Sequence, residues 1–165
     1  MRERMSRAIT KSSRHSKIIG ELGEHIIANY LSTSGFEVVM VDHTGIDIIA
    51  VHPKTKLRMG ITVKSRTRLE GKENQEVFIF TKKEKLTWFK NICEMFDCEP
   101  WIGIFVETTD KSDIYLVSLS EFERIMDMNK KTIAWKMNDF WRKHNDLNDK
   151  VKHIHLSLNR DRWIW

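Results

Sequence analysis

The chain has 165 residues, 41% of them hydrophobic and 31% charged, and a net charge of +5. This length predicts one domain, and the composition excludes a disordered chain. No apolar run approaches the ~20 residues of a bilayer span, so a membrane protein is excluded as well.

Residues 1–16 set Arg2, Arg4, Arg7, Lys11 and Arg14 against one acid, Glu3, and read as a basic flexible arm without the apolar core of a secretory signal. Ser16 is the expected N-cap of a helix over 17–32, with Ile19, Leu22, Ile26 and Tyr30 as its apolar stripe. Ser34-Gly35 ends it, and 36–41 reads as a β-branched strand. Residues 46–51, nearly all apolar, predict a strand buried on both faces. The turn HPKTK leads to a third strand over 57–65, and a polar loop precedes a short strand over 76–80.

Thr81 and Glu84 match a capping box opening a helix that ends near Phe96. Strands over 101–107 and 113–119 form a hairpin, and Ser120 with Glu123 predicts a second capped helix reaching Met128. Beyond it, 132–137 suits a strand, 138–144 a helical turn and 151–158 an alternating edge strand. His153 and His155 fall on its exposed face, with no third metal ligand visible. Cys93 and Cys98 read as small buried residues of a reduced, cytoplasmic protein. The order of elements implies an α/β architecture, a mixed β-sheet flanked by helices.

Chemistry concentrates between Gly20 and Ser65. Glu24 stands on the first helix beside Gly20, Gly23 and Ala28, positions that permit close approach of another backbone or a nucleic-acid strand. Asp47 opens an apolar strand, where a charge is costly unless paired or bound to metal. Lys64 closes the next strand, and hairpin pairing brings it to the same end as Asp47, at a sheet edge. Taken singly, each has a bland reading: a surface acid, a turn cap, an edge-protecting lysine. Two carboxylates and a lysine on helix, strand and strand together suit metal-assisted phosphodiester cleavage. The cluster Arg66, Arg68 and Lys72, with Arg14, Lys17 and Ser65, is the expected nucleic-acid contact. The six tryptophans, three of them Trp141, Trp163 and Trp165, read first as core or interface residues.

Gly20-x-x-Gly23-Glu24-x-x-x-Ala28-x-Tyr30-Leu31, Gly35-Phe36, Gly45-Ile46-Asp47-Ile48-Ile49-Ala50 and Val63-Lys64-Ser65 resemble the PD-(D/E)XK nuclease superfamily. The branch they most resemble is the archaeal Holliday junction resolvases and related restriction-endonuclease-like proteins. The resemblance implies a restriction-endonuclease-like core over 17–128, with residues 129–165 an extension packed on that core or on a partner. It implies Mg²⁺- or Mn²⁺-dependent hydrolysis of branched or double-stranded DNA in recombination, repair or restriction, by a homodimer where two strands are cut.

Glu24, Asp47 and Lys64 take the catalytic positions, with Glu24, Asp47 and the Val63 carbonyl as metal ligands. One position departs: the acid expected two residues before the lysine is Thr62. Three explanations follow from it. Another carboxylate (Glu21, Glu70 or Glu76) fills the role, the metal is held weakly and cleavage is slow, or the protein is a catalytically inactive nucleic-acid-binding or scaffold protein. A small-ligand or protein-interaction module is a weaker rival.

Overall fold

The computed structural model describes residues 9–126 and 128–157. Trp163, Trp165 and the first half of the basic arm lie outside those residues. The chain runs α1 (His15–Thr33), β1 (Glu37–His43), β2 (Ile46–Val51), β3 (Arg58–Thr67), β4 (Val77–Phe80), α2 (Lys83–Met95), β5 (Glu99–Glu107) and β6 (Lys111–Ser118). It continues through α3 (Leu119–Ile125), β7 (Ile133–Trp135), α4 (Asp139–Asp146) and β8 (Lys152–Ser157).

Six strands form one sheet in the order β1-β2-β3-β5-β6-β8. Only β3 and β5 run parallel, and the segment containing α2 provides the long crossover that a parallel pair requires. Helix α1 packs on one face with Ile48, Ile61 and Phe105. On the other face, α2 and α3 join Ile102, Ile104 and Val117 in a larger core that includes Phe89, Phe122 and Trp135. This is the expected mixed sheet between helical layers.

Strand β4 is not part of it; it pairs with β7 in a separate two-stranded ribbon. Residues beyond 129 thus supply one strand to the ribbon and one, β8, to the edge of the main sheet. Trp135 is fully buried. No helix among the described residues is long and apolar enough to cross a membrane.

Local details differ from the sequence expectations for physical reasons. Helix α1 begins at His15 with Arg14 as an N-cap that makes no side-chain bond, so Ser16 lies inside the helix. Its buried stripe is Ile19, Gly23, Ile27 and Leu31, one step round from the expected Leu22, Ile26 and Tyr30. Gly23, which carries no apolar signal, is the contact residue. A Cβ there would lie 2.0 Å from Ser65 Oγ and 3.1 Å from Phe105 Cβ. Gly20, by contrast, faces open space.

Helix α2 is preceded by Lys82 rather than capped by Thr81. The capping serine of α3 is Ser118, which accepts a hydrogen bond from the Glu121 amide two residues before the expected box. Strand β2 buries one face completely through Ile46, Ile48 and Ala50 and leaves the other half-buried.

Candidate functional site

The antiparallel ladder between β2 and β3 runs from Val51↔Arg58 to Ile48↔Ile61 and then stops. At that point the Asp47 carboxylate replaces the missing ladder partner. Its Oδ2 accepts the Val63 amide at 2.6 Å, a short charge-assisted bond. A buried-strand carboxylate is therefore stabilised by backbone, as its position requires. Both strands are interior in the sheet order, so the convergence forms where inner strands part, not at a sheet edge.

Thr62 and Lys64 extend from β3 toward the same carboxylate. Thr62 Oγ1 donates to Asp47 Oδ2 at 3.3 Å, and Lys64 Nζ donates to Thr62 Oγ1 at 3.3 Å and to the Val63 carbonyl at 3.2 Å. Both bonds to Thr62 exceed the ordinary length for their type, so the threonine is loosely held although it is buried. The Val63 carbonyl, expected as a metal ligand, is engaged by Lys64.

Glu24 meets this group from α1. Burial raises its carboxyl pKa, and the nearby Asp47 charge raises it further. Burial lowers the Lys64 pKa, against the opposing pull of Asp47. Two mutually repelling carboxylates beside a lysine that deprotonates more readily than usual are the electrostatic pattern of a reactive centre. The donor set also fits a hard divalent cation: carboxylate oxygens are what Mg²⁺ takes, and a cation relieves the repulsion that raises Glu24.

Glu21, one candidate for the missing acid, pairs instead with Lys17 at 3.7 Å, and both are well exposed. The Glu76 carbonyl, with that of Gln75, is held by Arg68. That arginine is committed to the loop after β3. Arg66 Nη1 donates to the Ser65 carbonyl at 2.7 Å, while its charge reaches Lys64. Arg14, Lys17 and Lys72 are exposed.

Ser65 departs from the expected nucleic-acid contact. It is buried beneath Gly23, and its hydroxyl has no hydrogen-bond partner among the described residues. Lys85, on α2, was not foreseen as a site residue, yet its charge acts on Lys64. The visible signal was three lysines (82, 83 and 85) at a helix start, where the dipole disfavours them.

The described residues also correct the reading of the two histidines. His153 Nε2 and His155 Nδ1 lie 3.1 and 3.0 Å from Asp113 Oδ1, so a third candidate ligand exists, contributed by β6. Strand β8 is an edge strand as expected, but His153 is largely buried and only His155 is half-exposed.

No protein-family model matches the chain, and no curated protein matches it. Among solved structures, the 1.6 Å structure of Hjc from Archaeoglobus fulgidus, a Holliday junction resolvase from an archaeal hyperthermophile, has a similar fold. The two share 14% identity at a TM-score of 0.53, covering 71% of this chain and 83% of that one. A likeness at that identity shows the fold, a restriction-endonuclease-like α/β core.

Proposed function

We propose that this chain is a divalent-metal-dependent DNA endonuclease whose centre is Glu24, Asp47, Thr62 and Lys64. The observation that carries the reading is the Asp47 carboxylate, fixed by the Val63 amide and within one hydroxyl of Lys64 Nζ. The nuclease-like fold, shared with a Holliday junction resolvase, supports DNA as substrate, branched or double-stranded.

Glu24 and Asp47 would hold Mg²⁺ or Mn²⁺. When bound, such an ion supplies a Lewis acid and a water of lowered pKa. Asp47 is oriented by its bond from the Val63 amide, and the same oxygen accepts from Thr62. Lys64, its proton loosened by burial, exchanges that proton at Nζ and offsets charge on the phosphate oxygens. Thr62 passes a hydrogen bond between lysine and carboxylate without adding charge. Arg14, Lys17, Arg66, Lys72 and Lys85 present positive charge to the phosphodiester backbone, and Arg68 orders the loop between them.

Nicking of supercoiled plasmid and of a four-way junction tests the reading. Mg²⁺- or Mn²⁺-dependent cleavage is expected, falling about 100-fold or more in Asp47→Ala and in Lys64→Ala. One observation favours a second reading, a binding protein that does not cut: a neutral hydroxyl occupies the place of the second acid. In that case wild type shows no cleavage but binds DNA with a steep salt dependence.

A further inference from the structure

Across the sheet from Lys64, the register passes through Ile104 and Tyr115 to His153. Three strand steps of ~4.8 Å put His153 on the order of 14 Å from the β3 strand. Two residues along the strands, Asp113 of β6 lies directly opposite His155 of β8. Residues two apart on a strand share a face, so both imidazoles and the carboxylate project to one side. One ligand atom from each of the three lies within 4.8 Å of the others.

Both imidazoles turn a ring nitrogen toward one oxygen of Asp113. His153 Nδ1 meets Asp146 Oδ1 of α4 at 2.5 Å. If that nitrogen carries the proton, the Nε2 lone pair faces the lone pairs of Asp113 Oδ1 at 3.1 Å. His155 Nδ1 is aimed at the same oxygen from 3.0 Å. A single cation among the three atoms satisfies every lone pair at once. The other Asp113 oxygen is taken by Arg142, whose Nε and Nη2 are held by the Met137 and Glu73 carbonyls, so the carboxylate is oriented from behind.

Tyr115, fully buried, stacks on the His153 ring at 4.2 Å and lines the same recess of about 340 Å³. Its hydroxyl lies beside Arg142, which lines the recess with it.

We infer that Asp113, His153 and His155 form a Zn²⁺-class metal site that clamps the edge strand β8 to β6, with water in the fourth position. The donor chemistry selects the metal: two imidazoles and one carboxylate suit zinc and its neighbours, whereas Mg²⁺ takes oxygen donors. The two spacings from Asp113 Oδ1 to the imidazoles approach it too. Metal bonds of about 2.0–2.1 Å place tetrahedral ligand atoms roughly 3.3 Å apart, so a few tenths of an ångström of opening admits the ion. Asp146 behind His153 is the carboxylate that orients a metal-bound imidazole and raises its basicity. The separation from β3 is far beyond the ~4 Å of two-metal hydrolysis, so this metal would act apart from the proposed nuclease centre.

The test titrates Zn²⁺, and separately Co²⁺, into the full-length protein after chelation and dialysis. One equivalent of Zn²⁺ is expected, and Co²⁺ should give the visible absorption of a four-coordinate centre. Asp146→Asn should weaken Zn²⁺ about 10–100-fold. His155→Ala, at a half-exposed position that the fold does not need, should remove stoichiometric binding. Asp47→Ala should leave it unchanged, which separates this site from the proposed nuclease centre. The inference is overturned if no Zn²⁺ binds, if Co²⁺ stays six-coordinate, or if His155→Ala binds as wild type does. Each of those results leaves a hydrogen-bonded network around Asp113 instead.

Discussion

Thr62 is where the chain departs from the resemblance its sequence suggests. A glutamate at that position would put a third carboxylate beside Asp47 and Glu24, a repulsive arrangement until a cation enters. Thr62→Glu is therefore expected to lower the melting temperature in chelator, to regain it with Mg²⁺ through ligand linkage, and to cleave plasmid faster than wild type. Calorimetry with and without metal, beside the nicking assay, checks both halves. Ser65 offers the opposite experiment. Its hydroxyl is buried without a partner, and an unsatisfied group costs about 1–3 kcal/mol. Ser65→Ala should be neutral or stabilising by about 1 kcal/mol in urea denaturation, with DNA affinity unchanged.

At the scale of elements, the contact that seats Glu24 is the passage of α1 over β3 and β5. It depends on the absence of one side chain. Gly23→Ala would press a methyl group against Ser65 and Phe105, an overpacking change that costs about 1–3 kcal/mol. The midpoint of thermal or urea unfolding measures it, and adding Ser65→Ala should recover part of the loss.

This contact also shows what was legible in the sequence. Strand β2 was readable to the residue because a continuous apolar run between turns has few alternatives. The pairing of Asp47 with the end of β3 followed from the hairpin between them. The face of α1 was not, because a glycine contact leaves no hydrophobic mark. The true cap of α3 was missed because two serines two residues apart offer equal chemistry, and only the backbone geometry at Ser118 decides between them. Asp113 and His153 meet across 40 residues of sequence through strand pairing, which no local pattern announces. Lys85 reaches the site only because the crossover folds α2 over the strands that carry it.

At the scale of the whole molecule, acid stability depends on carboxylates tied into the fold. Glu121 is held by hydrogen bonds from Arg124, against its burial, and by Asn148 from beyond α4, which brings its carboxyl down to about 2 from the ordinary 4.5. A depressed carboxyl contributes stability that is complete above about pH 4.5 and is lost as pH falls through about 2. Unfolding free energy measured between those values should therefore decline in wild type, and decline less steeply in Glu121→Gln. The same bonds tie α3 to the segment leading into β8, so losing them loosens the edge of the sheet before its centre.

The amide of Val63 is a proton held by a side chain where its neighbours are held by a strand. Its resonance thus depends on the Asp47 carboxylate alone. Magnetic-resonance spectra of labelled protein would show that one peak displaced downfield, and its exchange with deuterium would quicken in Asp47→Asn while the rest of β3 stayed protected. A cation drawing charge from Asp47 would shift it as well. The fold thus contains a single-atom gauge of its own candidate centre, readable before any substrate is known.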